Sequence, residues 1–134
     1  MHILVLSDFF PPQVNAGAEN IASEISKGYI AQDNQVSIIT INKSMQKGEL
    51  FVDKKESLTC YQIGYNYNEK FSAYVGLYNP VVLKVIRNII LDNDFTVAHI
   101  HNIHTYISYG VISLLKKHFI SAILTVHDAM PVDY

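Results

Sequence analysis

Short apolar runs rich in β-branched residues recur along this chain, with room for a helix between most of them. They are HILVL at 2–6, VSIITI at 36–41, LTCYQIGY at 58–65, FTVAHI at 95–100 and ISAILTV at 120–126. Runs that are apolar at nearly every position belong to strands covered on both faces, which is the environment of a parallel sheet. The intervening segments carry the helical period instead. Ile21, Ala22, Ile25 and Tyr29 recur at helical spacing, with Glu19 in the first turn where it complements the helix dipole. Asn79-Pro80 is a cap followed by a first-turn proline, and Val82, Leu83, Ile86, Ile89 and Ile90 form the stripe behind it. A further helix is expected over His104 to His118. The segment from Asn42 to Ser57 is polar and aperiodic and reads as a surface excursion, although Leu50 to Val52 has the composition of a short strand.

The expected fold is therefore α/β, a doubly wound, Rossmann-like parallel sheet in a single domain over residues 1–134. A strand order of 3-2-1-4-5 is expected, counting the five runs in sequence. At 134 residues, 49% apolar and 16% charged, the chain has enough core-forming surface to fold compactly. Ten Lys plus Arg against twelve Asp plus Glu leave a net charge of −2, without the basic excess that nucleic-acid binding uses. One cysteine, Cys60, cannot form an internal disulfide, and no positively charged leader precedes the first apolar run. A reducing cytoplasm is the expected compartment. Polar residues interrupt every apolar stretch short of the roughly 18–20 residues needed for a span, so only peripheral membrane contact is expected. An enzyme of this architecture usually continues beyond a fifth strand, and the chain reads as part of a longer protein.

Open α/β sheets bind ligands beyond the carboxyl ends of their strands, where the strand order reverses. With the order above, three segments meet at that edge. The first, SDFFPPQVNAGAE, runs from Ser7 through Asp8 to Glu19 in the first helix, where Gly17 permits close backbone approach and helix-start N–H groups can hold a phosphate. The second, VAHIHNIH, places His99 and His101 on one face of a strand, with His104 close behind. These imidazoles could serve a metal-dependent hydrolase together with Asp128; alternatively, His99 is a core histidine satisfied by hydrogen bonds and His101-Asn102 shape the turn. The third, LTVHDAMP, delivers His127 and Asp128, which can donate to and accept from a sugar hydroxyl or cap the strand end.

Taken together, MHILVLSDFFPP with AGAE after it, NQVSIITI, FTVAHIHN and AILTVHD resemble, in that order, the N-terminal domain of GT-B glycosyltransferases of family 4. The resemblance covers nearly the whole chain. It implies transfer of a sugar from a nucleotide-sugar to a carbohydrate or lipid-linked acceptor, with retention of configuration and without a metal or other cofactor. It implies a donor-diphosphate contact at Gly17 and Glu19, with Ala16 standing where the family has its first glycine. The family's histidine near the reaction centre corresponds to His127, and His101 and Asn102 correspond to the floor of the interdomain cleft, with Asp8 and Asp128 beside it. The family's second domain, with a basic pair and two glutamates eight apart, has no counterpart in these residues, so the chain alone is expected to be inactive.

Two other classes remain open at this stage: the metal-dependent hydrolase, and a non-catalytic binding module exposing the tyrosine-rich segment from Tyr65 to Tyr78. Those tyrosines either pack on the sheet or offer flat faces to a sugar or a lipid surface.

Overall fold

A computed structural model describes residues 1–11, 17–67 and 69–127. The strands are β1 (His2–Leu6), β2 (Gln35–Asn42), β3 (Leu50–Lys54), β4 (Leu58–Gly64), β5 (Val97–Ile100) and β6 (Ser121–Leu124). The helices are α1 (Gly17–Ala31), α2 (Ser72–Leu77), α3 (Pro80–Leu91) and α4 (Gly110–Lys117). They form one six-stranded sheet of order β3-β4-β2-β1-β5-β6. All neighbouring strands are parallel except β3, which runs antiparallel to β4.

The five anticipated strands thus lie in the anticipated order, and β3 extends it by one. The excursion between Asn42 and Ser57 does form this strand. Its five residues are all exposed, so no burial pattern marked it in the sequence.

Alternation divides the core between the two faces. Leu4, Leu6, Ile39, Ile41, Ile63 and Ile100 pack with the buried stripe of α3 and with Val111 and Leu115 of α4. Ile3, Val5, Val36 and Ile38 form a smaller cluster on the other face, against Tyr29 and Ile30 of α1. At about 25 cal/mol per Å² of apolar surface, each fully buried Leu or Ile contributes about 1.5–3 kcal/mol to this arrangement.

Helix α3 begins as expected. The Asn79 side chain accepts from Val82 N at 3.3 Å, with Pro80 in the first turn. Its amide also donates to Tyr106 O at 2.7 Å, which fastens the start of α3 to the loop after β5. Residues Ser72–Leu91 have the length and mean hydropathy, 1.2, of a membrane span. They divide at Tyr78-Asn79 into α2 and α3, and the apolar stripe of α3 is core.

The helix expected from His104 is shorter than the sequence indicated, because α4 starts only at Gly110. Two features stop it. The N–H groups of Thr105, Tyr106 and Ile107 are directed at the carboxylate of Asp8, just after β1, and Ser108 sits at φ +80°, which no helix continues through. Gly76 of α2 lies against this same turn: a Cβ there would come within 2.3 Å of His104 O.

Candidate functional site at the carboxyl edge

Beyond their ladders, β1, β5 and β6 each extend the pairing by one residue. Ser7 N donates to Ile39 O at 3.2 Å, His101 N to Leu6 O at 2.9 Å and Thr125 N to Ile100 O at 2.9 Å. Asp8, His101, Asn102 and His127 are thereby delivered to one edge of the sheet. Ala16 and Asp128 lie outside the described residues.

Asp8 is buried and fixes the edge. Its N–H donates to Asn102 O at 2.7 Å, while its C=O accepts from Ile41 N at 2.9 Å and Thr40 Oγ1 at 3.1 Å. Its carboxylate takes three further backbone donors: Thr105 N at 2.8 Å on Oδ2, and Tyr106 N at 3.1 Å and Ile107 N at 2.7 Å on Oδ1. Burial pushes its pKa up to about 6; the three N–H groups and the nearby His104 act the other way. The group assigned to the cleft by sequence is therefore the buried peg on which the loop after β5 is hung. Asn102, half-buried, takes part through its backbone carbonyl.

On the α1 face, three imidazoles form a column. His99 and His101 stack with centroids 4.3 Å apart, and His101 and His127 with centroids 5.2 Å apart. His99 has both nitrogens engaged: Nδ1 with Tyr29 OH and Nε2 with Thr125 Oγ1, each at 2.6 Å. It is the hydrogen-bonded core histidine of the two readings that the sequence left open. Neither partner was legible there, since Tyr29 read only as part of an apolar helix stripe and Thr125 only as strand. His101 Nδ1 meets His127 Nε2 at 2.9 Å, and the other His101 nitrogen, Nε2, is buried without a partner among the described residues.

Burial lowers the pKa of His101 to about 3, with His99 and His127 adding repulsion, and burial likewise lowers that of His99. His101 is therefore neutral at physiological pH, one nitrogen a donor and the other an acceptor. The sign for stability follows from linkage. As pH falls below the unfolded value of 6.5, the unfolded chain gains a proton that the folded chain refuses until about 3, so stability present above that range is lost. In this window His101 alone is expected to remove about 1.4 kcal/mol per pH unit. Urea unfolding at pH 7 and pH 5 should show a smaller decline for His101→Phe than for the unsubstituted chain. Equal declines would disprove the assignment.

Among the described residues no group of three or more His, Cys, Asp or Glu side chains is arranged to hold a metal ion. His104 stands on the turn after β5, near Asp8 rather than on the column. At the start of α1, Gly17 is exposed, and none of the described residues comes within 4 Å of where a Cβ would project. Glu19, two residues on, is buried with Oε2 lacking a partner among the described residues. A groove lies elsewhere. It measures about 620 Å³ and is walled by α3 with β3 and β4 as its floor, including Val52, Tyr61 and Asn88.

No protein-family model matches this chain, and no curated protein matches it. The likeness found is structural. A solved structure from E. coli, described as trehalose-6-phosphate bound with UDP-2-fluoro glucose, is similar at a TM-score of 0.55 and 15% identity, covering 94% of this chain and 32% of that one. At that identity the likeness establishes fold alone: a Rossmann-like α/β domain. The chain spans about a third of the chain it resembles.

Proposed function

We propose that this chain is the acceptor-side domain of a retaining GT-B glycosyltransferase of the family 4 type, which transfers a sugar from a nucleotide-sugar to a carbohydrate or lipid-linked acceptor. The observation that carries the reading is the His101–His127 contact of 2.9 Å at the carboxyl edge. The fold likeness to a structure holding UDP-2-fluoro glucose supports it. With Nε2 of His127 tied to a neutral imidazole, its Nδ1 is left to face a ligand in a fixed orientation. The ring meets a sugar hydroxyl there without a net charge change on its support.

Ala16 and Gly17, with the first N–H groups of α1, take the donor diphosphate, and Glu19 stands behind them. Asp8 and Asn102 hold the shape of the edge, and Asp128 is assigned to the acceptor by its place in the sequence, next to His127. Charge leaving on the diphosphate needs cations from a second domain, and their stabilisation is a large part of such catalysis. Sugar transfer is therefore expected only when the chain is joined to, or mixed with, a nucleotide-binding partner domain, and it should depend on His127. Turnover of a nucleotide-sugar by these 134 residues alone would refute the proposal.

The acceptor side faces a membrane in this proposal, at its cytoplasmic surface. Phe71, Tyr74, Leu77 and Tyr78 are exposed, Tyr74 by 76%. Beside them a groove of about 450 Å³ between α3 and α4 is lined by Lys84, Arg87 and Lys117 and by no carboxylate. Aromatic side chains with adjacent cations suit an anionic lipid interface. Vesicles of phosphatidylcholine containing about a third phosphatidylserine should sediment the protein, at roughly 1 kcal/mol per basic residue. Lys84→Glu, Arg87→Glu and Lys117→Glu together should release it. No sedimentation with the anionic vesicles would remove the membrane from the proposal.

A further inference from the structure

We infer that two copies of this chain pair through β3, antiparallel about a twofold axis at Val52, joining their sheets edge to edge. The inference stands independently of the proposed enzymatic role.

Strand β3 is one edge of the sheet. It leaves Leu50, Phe51 and Val52 exposed by 42%, 54% and 45%, on both faces at once. An apolar edge strand with unpaired backbone groups is a template for another strand. The direction of its free groups follows from its pairing with β4. Phe51 lies opposite Gln62 and Asp53 opposite Cys60, and in the same series Lys55 N donates to Leu58 O at 2.8 Å. In an antiparallel ladder the bonded residues alternate. Phe51, Asp53 and Lys55 therefore turn their N–H and C=O groups to β4, while Leu50, Val52 and Lys54 turn theirs outward.

A twofold axis at Val52 uses every one of those outward groups. Val52 exchanges two hydrogen bonds with the partner's Val52, and Leu50 exchanges two with the partner's Lys54, an exchange the symmetry repeats. The side chains agree with that register. Val52 meets its own copy, and the aliphatic stem of the partner's Lys54 lies along Leu50. Just outside the strand, Glu49 falls opposite the partner's Lys55, so two ion pairs of opposite sign flank the axis. Both residues are exposed. Moving the axis two residues to Lys54 would bring Asp53 opposite the partner's Lys55 but set lysine against lysine at its centre and leave Leu50 without a partner strand, and moving it to Leu50 would run the pairing off the start of the strand. Strand length and the central residue thus select one register, which the Glu49–Lys55 pairs reinforce. At the other edge, β6 reads SAIL and carries no charge that could select one. A twofold axis normal to the sheet also points the two carboxyl edges in opposite directions, so neither copy covers the other's candidate site.

Sedimentation velocity over about 1–200 µM tests this, a range that brackets the affinity of a small edge interface. The chain should pass from monomer to dimer across it. Val52→Pro deletes only an outward N–H, leaving the β3–β4 ladder intact, and should raise the dimer Kd at least about tenfold. Glu49→Lys and Lys55→Glu should each do the same, since each reverses two pairs at once. The double reversal should restore the Kd to within about threefold, which no general damage to the fold could imitate. A monomer throughout the range would overturn the inference. A dimer indifferent to Val52→Pro and to the single reversals, as pairing through β6 would be, would overturn it equally.

Discussion

Asp8→Ala is expected to cost about 3–5 kcal/mol of folding free energy at neutral pH, enough to unfold a marginal domain. The side chain is small, but three backbone N–H groups, those of Thr105, Tyr106 and Ile107, point at its two oxygens inside the protein. Alanine leaves all three without an acceptor, each at about 1–3 kcal/mol. Asp8→Asn should fall between. It keeps the oxygen that serves two of the donors and sets an amide nitrogen against the third.

The pH dependence carries the sign of a raised carboxyl pKa. Asp8 holds its proton up to about 6 when folded, against 3.8 in the reference, so its contribution is fully present below 3.8 and is lost as pH rises through 6. The deficit of Asp8→Ala relative to the unsubstituted chain, read by urea denaturation, should therefore be larger at pH 5 than at pH 7 by about 1 kcal/mol. A variant within about 1 kcal/mol of the parent at both pH values would show that the loop after β5 does not depend on this carboxylate.

Under the proposed function, His127→Ala in this chain joined to a nucleotide-binding domain is expected to lower kcat/KM for sugar transfer at least about a hundredfold. In that role the ring meets the ligand with one nitrogen fixed on His101 at 2.9 Å, so its loss removes a pre-oriented group rather than a mobile one. His101→Ala should give a smaller loss, about tenfold, because it frees His127 without deleting it. The two losses should be less than additive if His101 acts through His127. Full activity in His127→Ala would leave the column a structural feature only. Steady-state rates at saturating and subsaturating donor separate lost transition-state contact from lost binding.

The strand order was legible because five apolar runs each carry enough β-branched surface to need cover on both faces. Segments exposed on both sides have no such mark: Leu50 to Lys54 is strand through its bonds to β4, and it read as an excursion in which only the composition of Leu50 to Val52 hinted at a strand. The helix from His104 failed for the opposite reason. Its local period was helical, and a carboxylate some 97–99 residues earlier captured the N–H groups that a helix would have used.

At the candidate site, the rule for parallel sheets placed Asp8, His101, Asn102 and His127 on one edge from the sequence. Which of them bond to one another was not readable. Asp8 read as a cleft carboxylate and proved to be a buried acceptor, and His99 owes its two partners to residues 70 and 26 positions away. By itself, then, the sequence determined the elements, their order in the sheet and the edge at which polar residues gather, because these depend on periodicity and on the twist of parallel strands. Only the tertiary structure decided which polar atoms are consumed in holding that edge and which are left facing outward. Those pairings join parts of the chain that have no local reason to meet until the sheet has formed.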